Sequence, residues 1–265
     1  MMPQGFLPAG MDRGMNKLLT LILLLASAPL AAAELTVSAA SSLTESFRDI
    51  AGAYEKANPG TQVDLNFAAS GVLLQQIARG APVDVFASAD EATMDQAVQG
   101  GHVDAATRQR FARNALWVIV PPVGVARQGA VELTSLQSLR APQVTRIAIG
   151  NPDSVPVGRY ARAALQAAGM WPALQGRTIT TQNVRQSLDY VARGEVDAGF
   201  VYATDAQAMP DRVKRAFEVP VKGGITYPLA AVTPARNAAE ARRFIAFVRS
   251  PAGQAILARH GFSRP

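Results

Sequence analysis

The sequence predicts an α/β protein built on parallel, helix-covered sheets. Strand-like apolar runs alternate with segments of helical periodicity, the pattern that strand–helix–strand units produce. Hydrophobic residues make up 49% of the chain and charged residues 17%, which suits a filled core. A length of 265 residues accommodates either one large domain or two lobes of about 100 residues each.

Glu34 to Ala40 reads as a strand, and Leu43, Phe47, Ile50, Ala51 and Tyr54 follow at helical spacing. Val63 to Phe67 is a second strand, Gly71 to Arg79 a helix and Val83 to Ala87 a third strand. Helices are expected over Glu91–Gln99 and Ala106–Arg113, and Ala115 to Pro121 is an apolar strand and a candidate hinge, stopped by Pro121-Pro122. A second α/β set starts with a strand at Arg146–Gly150. A helix from Val157 to Ala168 closes at Gly169, and another from Val184 to Arg193 closes at Gly194. Strands at Ala198–Tyr202 and Val213–Val219 precede an apolar segment, Tyr227–Val232, suited to run back toward the first set. Ala241, Phe244, Ile245 and Val248 mark a helix over Ala238–Val248, and Ser250-Pro251 opens a last helix ended by Gly261. There is no internal repeat.

From Met15 the chain reads Met-Asn-Lys17, an apolar run from Leu18 to Leu30, then Ala31-Ala32-Ala33, the form of a secretory signal peptide over residues 1–33. The run is shorter than the roughly 20 residues a spanning helix needs. Cleavage after Ala33 leaves 24 basic and 19 acidic residues. With no cysteine to carry a lipid, the expected destination is a periplasm.

The absence of cysteine removes disulfides, thiolate metal sites and cysteine nucleophiles. Two distant histidines, His102 and His260, do not make a metal site, and no cofactor is expected. The formal charge of +6 comes from scattered Lys and Arg, with Lys214-Arg215 and Arg242-Arg243 the only adjacent pairs, so nucleic acid is not an expected partner. No G-x-S-x-G elbow, phosphate loop or dinucleotide fingerprint is present, and an enzyme is not expected.

Three strand-to-helix turns carry small or hydroxylated residues: Ala39-Ala40-Ser41-Ser42-Leu43, Phe67-Ala68-Ala69-Ser70-Gly71 and Asn151 to Gly158. Helix starts expose unpaired N–H groups and the positive end of the dipole, so converging starts bind an anion without Lys or Arg. Each also has a plainer reading. Ser42-x-x-Glu45 matches a capping box, Ser70 and Asn183 match ordinary N-caps, and Tyr202 matches a packed aromatic with its hydroxyl at the surface.

Together and in this order, Val37-Ser-Ala-Ala-Ser-Ser42-Leu-Thr, Phe67-Ala-Ala-Ser70-Gly, Gly80-Ala-Pro-Val-Asp-Val-Phe-Ala-Ser88-Ala-Asp90, Val155-Pro-Val-Gly-Arg-Tyr160-Ala, Asn183-Val-Arg185 and Gly199-Phe-Val-Tyr202 closely resemble the periplasmic molybdate-binding proteins of ABC transporters. The likeness covers essentially residues 34–265. It implies a type II periplasmic-binding fold: two α/β lobes joined by crossing strands, with the ligand in the cleft. Lobe I would comprise 34–114 plus about 229–265, and lobe II about 115–228. Carried over, Ser42 and Ser70 would donate hydroxyl and backbone N–H, Val157 and Val184 backbone N–H, and Tyr202 its phenolic O–H. Family members usually carry Ala where this chain has Val157. The implied ligand is molybdate or tungstate, the implied partner a membrane permease, and the implied state a monomer.

Such a site offers only donors. A protonated phosphate would leave its own O–H unpaired there, at a cost on the order of 1–3 kcal/mol. Rival readings are a ligand-sensing regulator, which would need a helix-turn-helix where the export signal stands, and a same-fold binder of another anion. Arg159 and Arg185 lie beside proposed donors. They would clamp an organic acid, or else stand as solvated helix arginines.

Overall fold

The structure, a computed structural model, describes residues 33–265 together with Met1, Gln4 and Gly5. The export signal read up to Ala33 otherwise lies outside the described residues. Ala33 opens the first strand, and among the described residues no helix is long and apolar enough to cross a membrane.

The chain begins with β1 (Ala33–Ala40), a 3-10 turn at Ser41–Leu43, α1 (Thr44–Ala57), β2 (Thr61–Ala68), α2 (Ser70–Ala78), β3 (Val85–Ala87), α3 (Glu91–Gln99) and β4 (Gln109–Asn114). β1 pairs in parallel with β2 on one side and β3 on the other. Leu35, Val37 and Ala39 are fully buried because helices cover the sheet. α1 turns Phe47, Ile50, Ala51 and Tyr54 inward, the i, i+3, i+4, i+7 stripe, and Phe47 and Tyr54 meet Phe244 edge-on.

The chain then crosses to a second sheet: β5 (Leu116–Val120), β6 (Ile147–Gly150), α4 (Pro156–Ala167), the short α5 (Trp171–Leu174), β7 (Thr178–Thr181), α6 (Val184–Ala192), β8 (Ala198–Tyr202), α7 (Ala203–Ala208) and β9 (Lys214–Val219). It returns as β10 (Ile225–Ala231), antiparallel between β3 and β4, and ends in α8 (Ala238–Arg249) and α9 (Pro251–Arg259). The strand orders are β2-β1-β3-β10-β4 and β7-β6-β8-β5-β9. Two α/β lobes result, with the cleft facing the carboxyl ends of the parallel strands, where open α/β sheets bind ligands. The chain passes between sheets at Ala115 and again across 220–224.

Local signals held at several ends. Gly169 and Gly194 take φ of 66° and 67° after α4 and α6, left-handed values that favour glycine. The Ser250 hydroxyl accepts the Gly253 N–H, and Pro251 opens α9. The helix expected over Ala106–Arg113 is not formed. A 3-10 turn at Ala105–Thr107 gives way to β4, because Phe111 and Ala112 are buried in a ladder with β10, a partner more than a hundred residues away. Edge strand β7 and helix α7 were not anticipated.

Candidate functional site

Ser42, Ser70, Val157, Val184 and Tyr202 line one small cavity between the lobes. Ser42 and Ser70 reach it from the turns after β1 and β2. Val157 stands at the second position of α4, Val184 at the first of α6 and Tyr202 at the end of β8. Ala40, Ala68, Ala69 and Ala89 complete the near wall with little side-chain bulk. A larger hollow lies on the second lobe around Val123, Arg127 and Leu133, and these donors are not among its walls.

The first positions of a helix have no intrahelical acceptor for their N–H groups. Among the described residues, neither Val157 N–H nor Val184 N–H bonds a backbone carbonyl outside its helix. Pro156 at the first position of α4 presets the helical φ that aims Val157 N–H at the cavity. The Asn183 side chain caps α6 by accepting Gln186 N–H at 3.0 Å, leaving Val184 N–H for the cleft. Val157 is fully buried against the bare Cα of Gly150. One of its γ-methyls packs there, and its backbone donor is the one alanine would supply.

The plainer readings of the serines fail. Ser70 is the first residue of α2 rather than its cap, and its Oγ accepts the Ala89 N–H at 3.0 Å. Ser42 forms no capping box, because its Oγ lies 3.0 Å from Tyr227 Oη while Glu45 turns to Arg185. Nor is the Tyr202 hydroxyl at the surface. The residue is 1% exposed, and among the described residues its Oη is buried with no hydrogen-bond partner. Burial pushes this phenol well above its ordinary range, with Tyr227 adding to the effect, so it stays protonated and remains a donor.

The two arginines are not solvated helix arginines: each is mostly buried and ion-paired. Arg159 on α4 reaches across the cleft to the first lobe, its Nε 2.8 Å from Asp90 Oδ2 and its Nη2 2.6 Å from Thr93 Oγ1. Arg185 on α6 crosses to Glu45 on α1, and its Nε stands 2.9 Å from Asp205 Oδ1 in its own lobe. That contact is an ion pair without hydrogen-bond alignment. Asp205 is fully buried, and desolvation pushes its carboxyl up to about 6 despite Arg185 and the Tyr202 N–H it accepts. A backbone bond also joins the lobes: Gly71 N–H donates to Ser154 O at 3.0 Å. A Cβ at Gly71 would come within 2.6 Å of that oxygen.

Sequence reasoning missed Tyr227, Asn114 and Asp205. Tyr227 meets Ser42 across 185 positions, a separation over which no local pattern carries information.

The family model "Bacterial extracellular solute-binding protein" matches residues 35–263. The molybdate-binding protein ModA of Escherichia coli K12 is 37% identical, over 87% of this chain and 89% of its own. The putative ABC transporter substrate-binding lipoprotein YvgL of Bacillus subtilis is 31% identical over 86% of each. Among solved structures, the Azotobacter vinelandii periplasmic molybdate-binding protein superposes with a TM-score of 0.73 at 26% identity, covering 87% of this chain and 99% of the other.

Proposed function

The chain belongs to the bacterial extracellular solute-binding proteins, and from that premise we propose that it captures molybdate or tungstate in the interlobe cavity and hands it to the permease of an ABC transporter. Ser42 and Ser70 donate hydroxyl and backbone N–H from the first lobe. Val157 and Val184 donate backbone N–H from the second, and Tyr202 its phenolic O–H. The observation that carries this reading is the buried Tyr202 Oη, unpartnered among the described residues, in the wall of a cavity whose other proposed groups are also donors. An unpaired buried hydroxyl is costly, on the order of 1–3 kcal/mol, and a fully deprotonated oxyanion supplies the missing acceptor. Helix starts balance its charge with oriented dipoles rather than fixed cations.

An anion that bridges donors of both lobes stabilises the closed state over the open one, and closure is what the permease reads. The protein acts as a monomer in the periplasm after export on the leader ending at Ala33. The expected boundary near 229 moves to the start of β10, which lies wholly in the first sheet, so lobe I comprises 34–114 with about 225–265 and lobe II about 115–224.

Isothermal titration with molybdate, tungstate, sulfate and phosphate tests the reading. Tight binding of the first two with weak or no binding of the others supports it. Heat with sulfate or phosphate alone, or with none, overturns the ligand assignment.

A further inference from the structure

The Ser42 hydroxyl has two ways to face an anion, since a serine oxygen both donates and accepts. A donating proton must be left over once its own partners are counted. Ser42 Oγ has one side-chain partner among the described residues, Tyr227 Oη at 3.0 Å, and the direction of that bond is decided one residue further back. The Asn114 Oδ1 accepts Ala115 N–H at 3.0 Å, which fixes the orientation of the amide. Its Nδ2 is therefore the group facing both Thr204 Oγ1 at 2.9 Å and Tyr227 Oη at 3.2 Å. An amide nitrogen only donates, so Tyr227 Oη receives a proton from Asn114 and gives its own to Ser42.

We propose that Asn114 and Tyr227 are positioning residues whose one-way hydrogen-bond relay leaves the Ser42 O–H pointing into the cavity as an obligate donor. This rests on the reading under Proposed function and adds how the donor character of the site is enforced. Neither residue touches the anion. Burial, with Asp205 contributing, holds the Tyr227 phenol well above its ordinary range, so the relay keeps its proton. Ser70 gains the same polarity from the Ala89 N–H it accepts, so both serine hydroxyls are set as donors by independent means.

The relay also starts at the hinge. Asn114 is the last residue of β4, directly before the chain crosses at Ala115, and Thr204 belongs to the second lobe. The same amide therefore holds a residue of each lobe, Tyr227 and Thr204, at once.

The test is a double-mutant cycle read by molybdate titration of the full chain. Tyr227→Phe is expected to weaken binding about tenfold in the wild-type background. In the Ser42→Ala background it is expected to weaken binding less than twofold, because a group that acts through Ser42 has nothing left to orient. Asn114→Asp provides a second arm. It reverses the relay by turning a donor into an acceptor, while its added charge repels the anion equally in both backgrounds. Its loss is therefore expected to be larger when Ser42 is present. Equal losses with and without Ser42, or no loss in either, overturn the relay. If Tyr227→Phe does not fold, the Asn114→Asp arm decides. Wild-type protein that binds no molybdate overturns the functional reading itself, an outcome the first titration separates from failure of the relay.

Discussion

Truncating Arg159 to alanine probes the closed state without touching a proposed ligand donor. Its guanidinium leaves α4, crosses the cleft and meets Asp90 and Thr93 at 2.8 and 2.6 Å. The Asp90 side chain is only 4% exposed and the Arg159 side chain 23%, so water screens the pair only partly. Charge-assisted hydrogen bonds contribute about 1.5–3 kcal/mol when well shielded, and the partial exposure places this one toward the low end, about 1.5–2 kcal/mol. In the open state Arg159 is hydrated, so the loss falls on the closed state alone. Apparent affinity scales with the closed population, which makes the expected weakening of molybdate binding about 10–30-fold. Small-angle scattering should show a ligand-free protein more open than wild type. Asp90→Asn is the matched control. Asparagine keeps the cap that Asp90 provides to Thr93 N–H while removing the charge, so the two substitutions should be non-additive. An Arg159→Ala protein with wild-type affinity and an unchanged radius of gyration would refute the idea that this pair holds the lobes together.

Tyr202→Phe removes a buried hydroxyl that has no partner among the described residues. Thermal unfolding of the ligand-free protein should show it as stable as wild type or more stable by about 1 kcal/mol, while titration shows at least tenfold weaker molybdate binding. Gly71→Ala would set a methyl 2.6 Å from Ser154 O, so scattering should find the molybdate-saturated variant nearly as open as the free one. Asp205 carries a pH signature. Its carboxyl ordinarily titrates near 3.8 and is pushed up to about 6, so the folded state binds its proton more tightly than the unfolded one. That contribution is fully present below about 3.8 and is lost as pH rises through about 6, a change on the order of 2–3 kcal/mol. Denaturant titrations at pH 4, 5, 6 and 7 should show Asp205→Asn without this component, and parallel curves for the two proteins would contradict it.

Most elements were legible because their signals are local. The stripe of Phe47, Ile50, Ala51 and Tyr54 announces α1, and Gly169 and Gly194 announce where two helices end. β4 was read as a helix because its pairing with β10 is visible only in three dimensions. The five proposed site residues stood out as strand-to-helix turns and through family likeness, and the structure gathers them at one cavity. What could not be read were the contacts that cross the chain. Arg159 with Asp90, Arg185 with Glu45 and Tyr227 with Ser42 join residues 69, 140 and 185 positions apart. Charge patterning along a single helix gives no hint of them.

Two of the five proposed donors, at Val157 and Val184, are main-chain groups at helix starts. Every amino acid except proline supplies the same N–H, so the identity of these residues is nearly silent to the chemistry they perform. A saturation library selected for molybdate uptake should therefore tolerate many side chains of fitting size at 157 and 184 and reject proline at both. Ser42, Ser70 and Tyr202 should remain narrow. Functional drift in this pocket would then be recorded at its hydroxyl positions, while the two main-chain positions pass through sequence change unmarked.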